Sequence, residues 1–138
     1  MKKLLLISLS ALLLPACADK NQYEQAVLEQ MQKEQDVKDY KIPPEEMTKC
    51  VVDMTSDNMP GIFAFDPKRM TAYRNYTKML TLSKAEDPKK TLEELRNDFG
   101  SAKELADAHT NYTESLMDCL SVILIKSEEK AKEEKQPN

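Results

Sequence analysis

Prolines divide this chain into segments. Ile42-Pro43-Pro44, Asp66-Pro67 and Asp87-Pro88 each put Pro where a helix can begin, preceded by a residue where a helix cannot easily continue. Asp66 and Asp87 are also N-cap residue types, able to accept from the free amides of a first turn. A fourth start follows Gly100, a helix-stop residue: Ser101-Ala-Lys-Glu104 has the spacing of a capping box. Only two glycines and no Trp occur in 138 residues, and 32% of them are charged. A turn-rich sheet protein is a poor fit to that balance, and a single helical domain is expected.

Apolar spacing fills in the segments. In "NQYEQAVLEQMQKEQDVKDY", residues 21–40, Tyr23, Val27 and Met31 trace a thin stripe among helix formers. This stretch is either the first bundle helix or a stalk about 30 Å long at 1.5 Å per residue. Met47, Cys50, Val51 and Met54 share one face of the next helix, which "DNMPG" ends at 57–61. A third helix carries Met70, Tyr73, Thr77 and Leu80 to about Ser83, and a fourth carries Leu92, Leu95 and Phe99. The last and longest has Leu105, Ala108, Tyr112, Leu116, Cys119, Leu120 and Ile123 on one side and runs to about Lys130. Cys50 and Cys119 therefore both point toward the core. The end, 131–138, is charged all round and is expected to be disordered.

Ahead of these helices stand Lys2 and Lys3, then an apolar run from Leu4 to Leu14, then Leu14-Pro15-Ala16-Cys17. A basic start and an apolar run too short to span a bilayer have the form of an export signal. The four residues ending in Cys17 resemble the lipobox of bacterial lipoproteins, with Pro15 departing from the small residue usual there. The resemblance implies removal of residues 1–16, diacylglyceryl transfer to the sulfur of Cys17 and acylation of the new amino terminus. It covers the leader alone. A plain secreted chain cleaved near Ala16 or Ala18 is the rival reading. In that family Asp directly after the cysteine favours retention in the inner membrane; Ala18 stands here, so the periplasmic face of the outer membrane is expected. Residues 17–22 would be a lipidated tether and 23–130 the helical domain.

The export reading also bears on the other two cysteines. In an oxidising compartment Cys50 and Cys119 are expected to pair, closing a long loop; two buried free thiols are the alternative. The expectation is an all-α bundle of four to five helices stapled by one disulfide. Without Lys2 and Lys3 the chain holds 18 basic against 24 acidic residues. A net charge of that sign argues against nucleic acid as a partner.

Residues that could carry chemistry are few. His109 is the one histidine, and with two isolated cysteines it falls short of a zinc site. Met47, Met54 and Met70 lie at core spacing, so copper ligation is not expected, and no cofactor is. No phosphate loop, nucleophile elbow or metalloprotease motif occurs. An echo, A-x-x-N-Y-T-x-x-L, recurs at 72–80 and 108–116, as a helix-pair duplication or as shared core chemistry.

The functional candidate is the apolar connection Ile62-Phe63-Ala64-Phe65 with Met59 and Pro60. It is either a lid on the end of the core or a groove for a partner's amphipathic helix, formed by Met59, Ile62, Phe63 and Phe65. The function expected is non-enzymatic: a membrane-anchored domain holding a protein partner, comparable in class to pilotin-type lipoproteins. A periplasmic immunity protein, a structural envelope spacer and an enzyme using His109 are the competing readings.

Overall fold

The computed structural model describes residues 14–134, with side chains from Ala18 onward. The leader up to position 13, the side chain of Cys17 and residues 135–138 lie outside the described residues. The described chain is all-helical. Its helices are α1 (Leu14–Met31), α2 (Gln35–Asp39), α3 (Pro44–Asp57), α4 (Pro67–Leu80), α5 (Pro88–Phe99) and α6 (Ala102–Glu133), with a 3-10 turn at Leu82–Lys84.

The start signals act as their chemistry dictates. Asp66 Oδ1 accepts from the Lys68 amide at 2.8 Å and Asp87 Oδ1 from the Lys90 amide at 3.0 Å, with Pro67 and Pro88 in first helical positions. Gly100 closes α5 in the left-handed conformation, φ 105°, and Ser101 Oγ accepts from the Glu104 amide at 3.1 Å to open α6.

The count of six helices among the described residues exceeds the expected four to five, because residues 23–40 are not one helix. Neither Pro nor Gly marks the break at 32–34. At 3.6 residues per turn, Val37 would sit about 120° round the axis from Met31 and miss the core. The break turns Val37 inward, where it is buried, and Ile42 follows it after a reversal at Lys41, φ 55°. Nor is this segment a stalk. Tyr23, Val27 and Met31 are fully buried.

The expected tether at 17–22 is also helix. Asp19 Oδ2 lies 2.5 Å from the Arg74 guanidinium on α4, so the body of the domain begins two residues after Cys17. At the other end α6 stays helical through Glu133, past the 131 boundary at which disorder is expected.

Helix directions follow from named contacts. Tyr23 stacks on Tyr73 with ring centroids 5.6 Å apart, and Gln30 Nε2 donates to the Leu80 carbonyl at 3.1 Å, so α1 and α4 run parallel. Tyr23 meets Thr55 near the end of α3, while Leu28 borders one surface pocket with Thr48 and Val52 of α3; α3 is therefore antiparallel to α1. Cys50 and Cys119 form a disulfide between α3 and α6, with Cα atoms 5.8 Å apart and a sequence separation of 69. Met54 Sδ packs 3.3 Å from Cys119 Sγ and fills the space beside the bond.

The two halves of the sequence echo play matching local parts. Tyr76 and Tyr112 are core residues, and Thr77 and Thr113 each bond the carbonyl four residues back. Asn75 donates to the Asp98 carbonyl, holding the end of α5. Asn111 donates to the Thr55 carbonyl at 3.1 Å and to the Tyr76 hydroxyl at 2.9 Å, and accepts from Asn58 at 3.0 Å. One amide thus ties α3, α4 and α6 together.

Candidate functional site

Two apolar surfaces stand at opposite ends of α4. The first is the connection 58–66 that precedes it. Met59 is only 4% exposed and belongs to the core, so it leaves the candidate set. Its burial roots the loop. Ile62 is 94% exposed, Phe63 59% and Phe65 58%. A side chain standing almost wholly in solvent is a protrusion, because a groove shelters its own walls. Ile62 therefore neither covers the core nor lines a cleft, and Phe63 and Phe65 stand more than half exposed beside it.

The loop is a built structure. The Arg69 guanidinium donates to the carbonyl oxygens of Ser56, Pro60 (3.1 Å) and Gly61 (2.8 Å). Asp66 Oδ2 accepts from the Ile62 amide at 3.0 Å while its other oxygen caps α4, and the Asp66 amide donates to the Phe63 carbonyl at 3.0 Å. These two backbone donors hold the Asp66 carboxyl below the usual aspartate range. Gly61 has φ 104°, and a Cβ there would lie 3.0 Å from the Arg69 backbone nitrogen, so no other residue fits without a shift.

The second surface lies past the last turn of α4. Met79, Leu80, Leu82, Leu92, Leu95 and Leu105 line an open groove of about 850 Å³ between the end of α4, α5 and the start of α6. Leu95 is fully buried at its floor, while Leu80, Leu82, Leu92 and Leu105 are half-buried walls. Arg96, His109 and Thr110 also border the groove. Each leucine except Leu82 lies on a stripe that the sequence assigns to the core. The stripe of α5 is narrow, Leu92, Leu95 and Phe99, and that narrowness is the one sequence sign that it cannot cover both neighbours.

His109 is exposed on α6. Among the described residues no group of three or more His, Cys, Asp or Glu side chains converges as a metal site would require. Among them, too, no helix is long and apolar enough to cross a membrane. Burial raises the phenols of Tyr23, Tyr76 and Tyr112 above the ordinary tyrosine range; all three are core groups. Cys17 falls in the first turn of α1.

No family model matches the chain, and neither a curated protein nor a solved structure is significantly similar to it.

Proposed function

We propose that this chain is a lipid-anchored bacterial lipoprotein of the periplasmic face of the outer membrane that acts without catalysis, by holding a protein partner. The observation that carries the reading is the groove at the end of α4. Its walls are half-covered leucines, its floor is the core residue Leu95, and its edge is polar. That combination suits the apolar face of an amphipathic helix, with anchors at i, i+3, i+4 and i+7. A small tethered domain with such a groove escorts or steadies a membrane component, as pilotin-type lipoproteins do.

Anchoring rests on Leu14-Pro15-Ala16-Cys17. Two or more acyl chains hold a protein at a bilayer where one does so only marginally, so no spanning helix is needed.

The test is photocrosslinking in the native host, with a benzophenone side chain at Leu92 in the groove and a second variant carrying it at Ile125 on the exposed face of α6. One discrete protein adduct is expected from position 92 and none from 125, and Leu105→Glu should abolish it. Adducts of lipid or peptidoglycan alone at position 92 would refute the partner reading. Mass spectrometry of the mature amino terminus separately checks the acyl groups on Cys17.

A further inference from the structure

We infer that Ile62, Phe63 and Phe65 seat this protein on its membrane: with Cys17 acylated, the loop enters the interfacial region of the same leaflet that holds the acyl chains. The inference rests on the lipoprotein reading of Cys17, and its occupant is the bilayer.

Tyr23 stacks on Tyr73 and Gln30 bonds Leu80, an offset of 50 residues in both cases, and the helices are parallel. The same register sets Cys17 level with Pro67, the first residue of α4. Ile62, Phe63 and Phe65 immediately precede that residue. The acyl attachment point and the three protruding apolar side chains therefore share one end of the bundle. The Asp19–Arg74 contact leaves a single residue, Ala18, between the acylated position and the folded body, which is too little chain to hold the loop off the surface. Interfacial segments bury apolar side chains about 5–10 Å into the headgroup boundary, within reach of a loop at the level of the acyl attachment.

The chemistry of the loop agrees. Backbone polar groups that approach hydrocarbon must find partners within the protein. Here the carbonyls of Ser56, Pro60 and Gly61 are taken by Arg69, the Ile62 amide by Asp66, and the Phe63 carbonyl by the Asp66 amide. Lys68, exposed beside the loop, is available to lipid phosphates. The side chains that face outward at 62, 63 and 65 are apolar, and the main-chain groups of 62–65 left without a protein partner sit at headgroup depth, where water reaches them. The leucine groove, at the far end of α4 some 20 Å away at 1.5 Å per residue, is left open to the periplasm.

The chain has no Trp, so a single indole can report depth. Phe63→Trp and, as control, Tyr40→Trp are made in the full chain and purified from bacterial membranes. Tyr40 is exposed and follows α2, beyond the other end of α1. Each protein is reconstituted into phosphatidylethanolamine–phosphatidylglycerol vesicles with brominated acyl chains, and its Cys17 acyl mass is measured. Circular dichroism checks that both variants fold. The expected result is a blue-shifted indole at position 63 that loses most of its emission to the bromines, and an unaffected indole at position 40. Acylated protein whose indole at 63 stays unquenched would overturn the loop assignment while leaving the Cys17 reading intact. Equal quenching at 63 and 40 would also overturn it, since the bundle would then lack an end-on orientation. An unquenched indole at 63 that a cell-envelope protein shields from iodide would assign the loop to a protein contact instead. An absence of acyl mass on Cys17 would remove both readings.

Discussion

The phenol of Tyr23 and the hydroxyl of Thr55 meet at 2.7 Å in the centre of the bundle, and Thr55 donates its own proton to the Val51 carbonyl at 2.8 Å. The direction of donation is thereby fixed: Tyr23 gives and Thr55 receives. Around this bond the rings run as a chain. Tyr23 stacks on Tyr73 and meets Tyr76 edge-on, and Tyr76 meets Phe99, so α1, α4 and α5 are joined through aromatic contacts.

Removing either partner should not cost the same. Tyr23→Phe leaves Thr55 still donating to Val51, and the expected loss is about 0.5–1.5 kcal/mol. Thr55→Val strands a buried phenol without an acceptor, and about 1–3 kcal/mol is expected. The double variant should recover part of that loss. Urea unfolding of the four proteins measures it, and strictly additive losses would contradict the pairing.

The staple between α3 and α6 closes a sequence separation of 69. In the chain-entropy account such a loop is worth roughly 4 kcal/mol, against about 5–15 kcal/mol for a whole domain. The Cys50→Ala/Cys119→Ala variant should therefore unfold at markedly lower urea than the oxidised protein. Reductant should destabilise the native chain and leave the variant unchanged.

Alkali should unfold this protein earlier than carboxylate or lysine chemistry alone would. Burial lifts Tyr23, Tyr112 and Tyr76 above the ordinary tyrosine value of about 10. Above that value the unfolded chain releases phenolic protons that the folded chain retains, so stability is present below about pH 10 and falls as pH rises. Melting temperature between pH 9 and 11, followed together with tyrosinate absorbance, checks this. Tyrosinate from the three buried residues should appear with unfolding rather than before it.

The two glycines should respond differently to alanine. Gly100→Ala meets no atom within 4 Å and suffers only the left-handed backbone, about 1–2 kcal/mol. Gly61→Ala has the same handicap and also drives a Cβ toward the Arg69 backbone. A clearly larger drop in melting temperature is expected at 61 than at 100.

Most helix starts are legible in the sequence, because Asp66-Pro67, Asp87-Pro88 and Ser101-x-x-Glu104 act through atoms within three residues of one another. The cysteine pairing is legible in part: the stripes of α3 and α6 turn both residues inward, and proximity in space then follows from the packing. The break at 32–34 is not legible, since it serves Val37 and Ile42 rather than any local breaker. Thr55 is easily missed because it is polar, although it follows Met47 and Val51 at i+4 spacing on the buried face. The groove cannot be read from any one segment. Leu80, Leu92 and Leu105 each look like core residues, and only the placement of three helices shows that the described residues leave them half-covered. At 62–65 the sequence shows the apolar character, while the outward direction depends on Arg69, seven residues farther on than Ile62.

Arg69 separates the framework of that loop from its tips. The guanidinium's hydrogen bonds go to three main-chain oxygens, so the loop framework does not depend on which side chains stand at 62, 63 and 65. The apolar display at this end of the molecule can thus be varied residue by residue without altering its scaffold. The framework, by contrast, hangs on one planar cation that lysine, a point charge, cannot imitate.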